Sequence, residues 1–323
     1  MQTNSGYQLV HLRNGTCSVR SLADGETFHP VVGPVAEAEA LYVNQLRLRE
    51  RLQNQAGEFV IWDVGLGAAA NALTVLRATR DIACQIRLVS FDHTLEPLEF
   101  ALKHAADLGY FGGYEHHLQT FLRDHRVTFQ DGPQAVNWEF HHGDFPALIS
   151  CSSRGDEAQI SDRNTKDENQ LEPSHVGSYK FPSPDAILFD AYSPARNPAM
   201  WTLSLFTNLF QRLDPQRPCA LPTYSRSTIL RVTLLLAGFY VGVGHATGEK
   251  EETTLAANTL DLIAEPLNAR WLERALRSDS AEQLRTPVYA RAPLAPATAE
   301  QLRRHPQFAD LIRSADDPQS AAR

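Results

Sequence analysis

Four aspartates close short apolar runs: Asp63 in FVIWDVGLG, Asp92 in LVSFD, Asp144 in HHGD and Asp190 in AILFD. A carboxylate at a strand end can accept hydrogen bonds from ribose hydroxyls, from an exocyclic amino group or from a reacting amine. Gly65 and Gly67 sit at i and i+2 between an apolar strand and an Ala- and Leu-rich helix. Without Cβ atoms they let the chain bend and approach a ligand, and the first amides of the following helix attract electron-rich groups. Asp92 lies 25 residues beyond Gly67, the spacing of one strand–helix–strand unit whose acidic end accepts both hydroxyls of a ribose. This is the constellation for an adenosine cofactor, nicotinamide or sulfonium. Asp144 can receive an adenine amino group, and Asp190 can orient an amine or take its proton. Competing structural roles are an ordinary βα turn for the glycines, a helix cap for Asp92 and a loop anchor for Asp190. No metal is expected: His141 and His142 are adjacent and in a strand point to opposite faces, with no third ligand at a suitable spacing.

The elements that must carry these residues read as alternating strands and helices. Tyr7 to Leu22 contains two strand-like pieces around Asn14-Gly15, a tight-turn pair, and forms a β-rich arm. Glu37 to Leu52 places its apolar residues mostly on one helical face. Strands follow at 59–65, 81–92, 126–130 (weaker), 137–144, 186–190 and 219–225, and then a hairpin, YVGVG with TTLAA. Helices fall at 68–76, 95–111, 200–213 (opened by Asn197-Pro198, with Asn197 as cap) and 227–239. A terminal antiparallel hairpin on a mostly parallel sheet fits a Rossmann-like methyltransferase better than a dehydrogenase. Residues 151 to 184 are polar and poor in branched apolar side chains, which predicts a disordered excursion. The expected division is an arm and helix at 1–55, a Rossmann-like domain at 56–265 and a helical or irregular extension at 266–323.

Totals set outer bounds. The net charge of −8, from 30 Lys+Arg against 38 Asp+Glu, argues against extensive contact with a phosphate backbone but allows a local basic patch. Four widely separated cysteines suit a reduced, cytoplasmic setting. No signal-peptide pattern and no apolar run of membrane-spanning length is read.

Taken together, F-x-x-x-D-V-G-L-G at 59–67, L-V-S-F-D at 88–92, H-G-D at 142–144, L-F-D-A-Y-S-P-A-R-N-P-A-M-W at 188–201, T-Y-S at 223–225 and A-G-F at 237–239 resemble the MnmC-like methyltransferases. The likeness runs over about residues 25–260, with ETFHP and Glu37 to Val43 as the lead-in. It implies a class I fold of seven mostly parallel strands, S-adenosyl-L-methionine as cofactor and methylation of the aminomethyl group on a tRNA wobble uridine. It further implies cofactor contacts at Asp63, Gly65, Gly67, Asn71, Asp92, His93, Gly143, Asp144 and Asp190. Asp190 is the expected catalytic residue, and Tyr192, Pro194, Asn197, Pro198, Tyr224 and Lys250 lie on the substrate side. The sequence departs from the family at Ala68, Ala69 and Ala70, where a small polar residue and a third glycine are usual. Other expectations are a methyltransferase for a small amine or another nucleophile, a degenerate cofactor-binding protein and an NAD-dependent oxidoreductase. The last would want a fuller GxGxxG.

Overall fold

In a computed structural model of the 323-residue chain, residues 6–151, 181–248 and 251–308 are described. Two strands, β1 (Tyr7–His11) and β2 (Cys17–Ser21), pair antiparallel across the Asn14-Gly15 turn as a separate hairpin. The main sheet comprises β3 (Glu58–Val64), β4 (Gln85–Asp92), β5 (Arg126–Asp131), β6 (Gln134–His142), β7 (Ala186–Phe189), β8 (Ala220–Thr223), β9 (Tyr240–Gly244) and β10 (Thr253–Ala257). Their spatial order is β5-β6-β4-β3-β7-β8-β10-β9. β6, β4, β3, β7 and β8 run parallel, and β10 is antiparallel to both β8 and β9. Without β5 this is the strand order of class I methyltransferases, so the Rossmann-like expectation holds. Eight strands replace seven because Gly132, at φ 58, turns the chain so that β5 pairs antiparallel with the edge of β6.

Strand β3 shows why the sheet is central. Phe59 and Ile61 belong to one apolar core, Val60, Trp62 and Val64 to the other, and all are buried. A parallel strand covered on both faces needs this unbroken apolar run. The helix Ala70–Thr79 packs into the first core and the helices Leu203–Gln211 and Thr228–Leu236 into the second.

Three local expectations change. The helix predicted over 37–52 is divided: Pro34–Ala38 is α-helical, Glu39–Asn44 is π-helical, and Leu48–Asn54 resumes after Arg47 at φ 49. In one straight α-helix Leu46 and Leu48 would point about 200° apart, yet both are buried, and the break lets both face the core. Asn197 makes no side-chain cap. Pro198–Trp201 is a 3₁₀ turn, and Thr202 caps the next helix by accepting from the Leu205 amide at 3.3 Å. The predicted excursion at 151–184 lies outside the described residues except at its ends. No described helix is long and apolar enough to cross a membrane.

Candidate active site

The parallel strands all point their C-terminal ends at one cavity of about 540 Å³, the edge at which open α/β sheets bind ligands. The size suits a ligand of cofactor dimensions. After β3 comes the turn Gly65 to Gly67, at the end of β4 Asp92 with His93 next, and after β6 Gly143 and Asp144. Asp190 and Tyr192 follow β7, and Tyr224 follows β8. All these expected residues line the cavity, as do Asn71 and Asn197.

Backbone geometry explains the turn. Gly65 has φ 91 and donates to the Phe91 carbonyl at 3.0 Å. A Cβ there would meet the Asp190 carbonyl oxygen at 2.8 Å, so the close approach is to the neighbouring strand end. Gly67 has φ 51 and its amide donates to Asp92 Oδ2 at 3.0 Å. Asp92 Oδ1 accepts from the His93 amide at 2.7 Å. This carboxylate thus ties the glycine turn to the end of β4 and retains further acceptor lone pairs. Its bond to the His93 ring raises that imidazole's pKa. Asp144 Oδ2 accepts from the Ala147 amide at 3.3 Å, capping the helix Phe145–Cys151.

The alanines that depart from the family pattern have a visible consequence. Ala69 caps the helix Ala70–Thr79 with φ 60, a left-handed conformation that an L-residue adopts at a cost. Ala69→Gly removes that cost against a more flexible unfolded chain. It is expected to raise stability by ~0.5–1 kcal/mol, seen as a higher urea midpoint at unchanged slope. No change or a loss would show that the alanine methyl group is worth more in packing than its backbone costs.

Asp190 lies deepest in the chemistry. Asn71 Nδ2 donates to its Oδ2 at 2.7 Å, and the same oxygen is 3.6 Å from His29 Nε2. His29 Nδ1 faces Glu37 Oε1 at 3.4 Å. Burial is the largest single influence on His29 and lowers its pKa. The Asp190 charge and the Glu37 contact outweigh it and raise the value to about 9. His29 is delivered by a segment that runs beside β2. The Ser21 amide donates to the Glu26 carbonyl, the Phe28 amide to the Val19 carbonyl, and the Ser18 hydroxyl to the Phe28 carbonyl. Phe28 and Tyr192 then form a tilted ring pair with centroids 5.9 Å apart. The Ser193 hydroxyl donates to Glu26 at 2.7 Å, joining this segment to the loop after β7.

His29, Glu26 and Phe28 are wall residues absent from the expected site. ETFHP was visible as part of the lead-in, but a His and a Glu in a proline-containing turn carry no periodicity that points them inward. Other expected residues are placed differently. Asp63 is 1% exposed and does not line the cavity. It accepts from Ser90 Oγ at 2.8 Å, and Ser90 in turn accepts from Trp138 Nε1 at 2.9 Å. Burial raises its pKa to about 7, so Asp63 is a buried support beneath the turn and not a direct contact in this geometry. Pro194 and Pro198 shape the loop without lining the cavity; Trp201 Nε1 fixes that loop by donating to the Tyr192 carbonyl at 2.8 Å. Lys250 lies outside the described residues.

The donor atoms of His29, Glu37 and Asp190 lie within 4.8 Å of one another, among the described residues the one grouping able to offer a metal three ligands. Each ring nitrogen faces a different carboxylate. That divergence suits an imidazolium between two carboxylates better than three ligands converging on one ion.

Comparison with known proteins follows the same direction. Residues 174–259 match the family described as S-adenosyl-L-methionine-dependent methyltransferase. The chain is 28% identical over 251 residues to the tRNA 5-methylaminomethyl-2-thiouridine biosynthesis bifunctional protein MnmC of Methylibium petroleiphilum, covering 76% of this chain and 34% of that protein. The protein of the same name from Aeromonas hydrophila is 24% identical over 262 residues, 77% of this chain and 35% of its own length. The chain therefore spans about a third of the length of these curated relatives. A crystal structure of MNMC2 from Aquifex aeolicus has the same fold, with a TM-score of 0.61 at 20% identity over 94% of this chain and 85% of that one. The resemblance to MnmC-like methyltransferases thus extends from isolated motifs to most of the chain.

Proposed function

We propose that this protein is an S-adenosyl-L-methionine-dependent N-methyltransferase that acts in the cytoplasm on the aminomethyl group of a modified wobble uridine in tRNA. One observation carries this: the carboxylates of Asp92, the last residue of its parallel strand, and of Asp144 and Asp190, just beyond theirs, open on one cavity in a sheet of class I order. The names of the relatives supply the tRNA.

The wall fits the cofactor chemically. An adenosyl sulfonium compound carries two cationic centres together with ribose and adenine donors, and the wall is rich in acceptors, with Asp24 and Glu26 adding to the three carboxylates. Gly65, Gly67, Asn71, Asp92, His93, Gly143 and Asp144 would hold it, with Asp92 on the ribose and Asp144 near the adenine. When bound, the cofactor supplies an electrophilic methyl group. The chain's own task is to present a neutral amine in line with that group. Asp190 accepts an N–H of the amine, orients its lone pair and receives the proton directly or through water. Asn71 fixes the orientation of Asp190. Tyr192, Asn197 and Tyr224 line the acceptor side, Pro194 and Pro198 stiffen the loop, and Lys250 is assigned to the substrate side by the sequence resemblance alone. The catalytic unit comprises residues 56–265, with the 1–55 arm closing the cavity and 266–323 as an extension.

Calorimetry tests the cofactor assignment. S-adenosylmethionine and S-adenosylhomocysteine are expected to bind with one site per chain and NAD not to bind. Binding of NAD alone would replace this proposal with an oxidoreductase.

A further inference from the structure

Asp190 is not held by Asn71 alone. The same carboxylate oxygen faces His29, which reaches it from an N-terminal turn more than 150 residues away in sequence, and behind His29 stands Glu37. The side chains of His29 and Glu37 are nearly buried, and that of Asp190 is largely so. A neutral imidazole would present a lone pair to one of the two carboxylates, whereas an imidazolium presents a proton to each. His29 adopts φ 48 to take this position, a conformation rarely used by a residue with a side chain.

We infer that His29 is a positioning residue, a buried imidazolium that, fixed by Glu37, holds the Asp190 carboxylate at the methyl-transfer position. The inference deepens the proposed function and rests on it for the word transfer; the charged triad itself does not. Asp190 and Glu37 are the charged groups acting on the ring. The nearby phenols of Tyr42 and Tyr224 have pKa values raised well above the ordinary by burial and stay neutral. In methyl transfer the amine lone pair forms the new N–C bond as the C–S bond breaks, its electron pair leaves on sulfur, and the resulting ammonium sheds one proton. With the triad intact Asp190 faces that proton in one orientation. Without His29 that constraint on its orientation is lost.

Two readouts test this. In the ligand-free protein, ¹⁵N shifts of the His29 ring are expected to show both nitrogens protonated at neutral pH. Glu37→Gln and Asp190→Asn are each expected to weaken the ring's proton affinity by about tenfold or more. In the enzyme, His29→Asn, whose side chain tolerates the left-handed backbone, is expected to lower kcat by ~10–10²-fold. Its affinity for S-adenosylhomocysteine should stay within about threefold of the wild type. A neutral wild-type ring at neutral pH would overturn the inference whatever the activity. So would equal loss of affinity and kcat in His29→Asn, or stoichiometric zinc or manganese uptake that this variant abolishes, since His29 would then be a ligand. Should the wild type transfer no methyl group, the functional proposal fails while the ring titration still decides the triad.

Discussion

Asp190→Asn is expected to lower methyl transfer by ~10²–10⁴-fold, with affinity for S-adenosylhomocysteine within about threefold of the wild type. The substitution keeps shape and volume, so the loop after β7 should keep its course, as should the bond from the Tyr224 hydroxyl to the Ala191 carbonyl at 3.0 Å. What changes is chemical. An amide oxygen accepts a hydrogen bond but does not take a proton at neutral pH, and its NH₂ end opposes both the Asn71 amide and the His29 ring. Single-turnover kinetics alongside calorimetry would separate the two effects. Parallel loss of rate and affinity would make Asp190 a structural or cofactor-binding residue, the role that any strand-end aspartate can fill.

Asp92→Ala should invert that pattern, weakening cofactor binding by ~10²-fold or more while leaving the fold intact. Two charge-assisted hydrogen bonds to a ribose, at ~1.5–3 kcal/mol each, would disappear. The same carboxylate also gathers the amides of Gly67 and His93, so its loss releases the glycine turn as well. Affinity of the alanine variant for S-adenosylhomocysteine would expose both effects, and Asp92→Asn, which can still accept from the Gly67 amide, should recover part of the loss. Intact affinity in the alanine variant would refute the ribose role.

Much of this site was legible from the residues. The 25-residue step from Gly67 to Asp92 is a property of the chain, and the structure shows the two joined by a hydrogen bond. The Asp190 loop was legible because its prolines and aromatic residues follow an apolar strand. Depth within a strand was not. Asp63 lies two residues before Gly65, but its carboxylate is tucked against Ser90 under the turn, and only the packing of Ser90 and Trp138 decides that. The contribution of the N-terminal turn was also hidden. His29, Glu26 and Phe28 meet Asp190, Ser193 and Tyr192 across long sequence separations, and no local periodicity encodes such contacts. The break at Arg47 escaped for a related reason: apolar spacing describes an ideal helix, and tertiary burial of Leu46 and Leu48 overrode it.

Incubation of the protein and methyl-labelled S-adenosylmethionine with tRNA bearing an aminomethyl group on its wobble uridine, followed by mass spectrometry of the digested nucleosides, bears most directly on what this cavity does. The label is expected on the exocyclic amine of that uridine alone, with one S-adenosylhomocysteine released per methyl group, and absent from tRNA without the aminomethyl group. Transfer to small amines but not to this tRNA, or cofactor binding with no transfer at all, would contradict the proposed function.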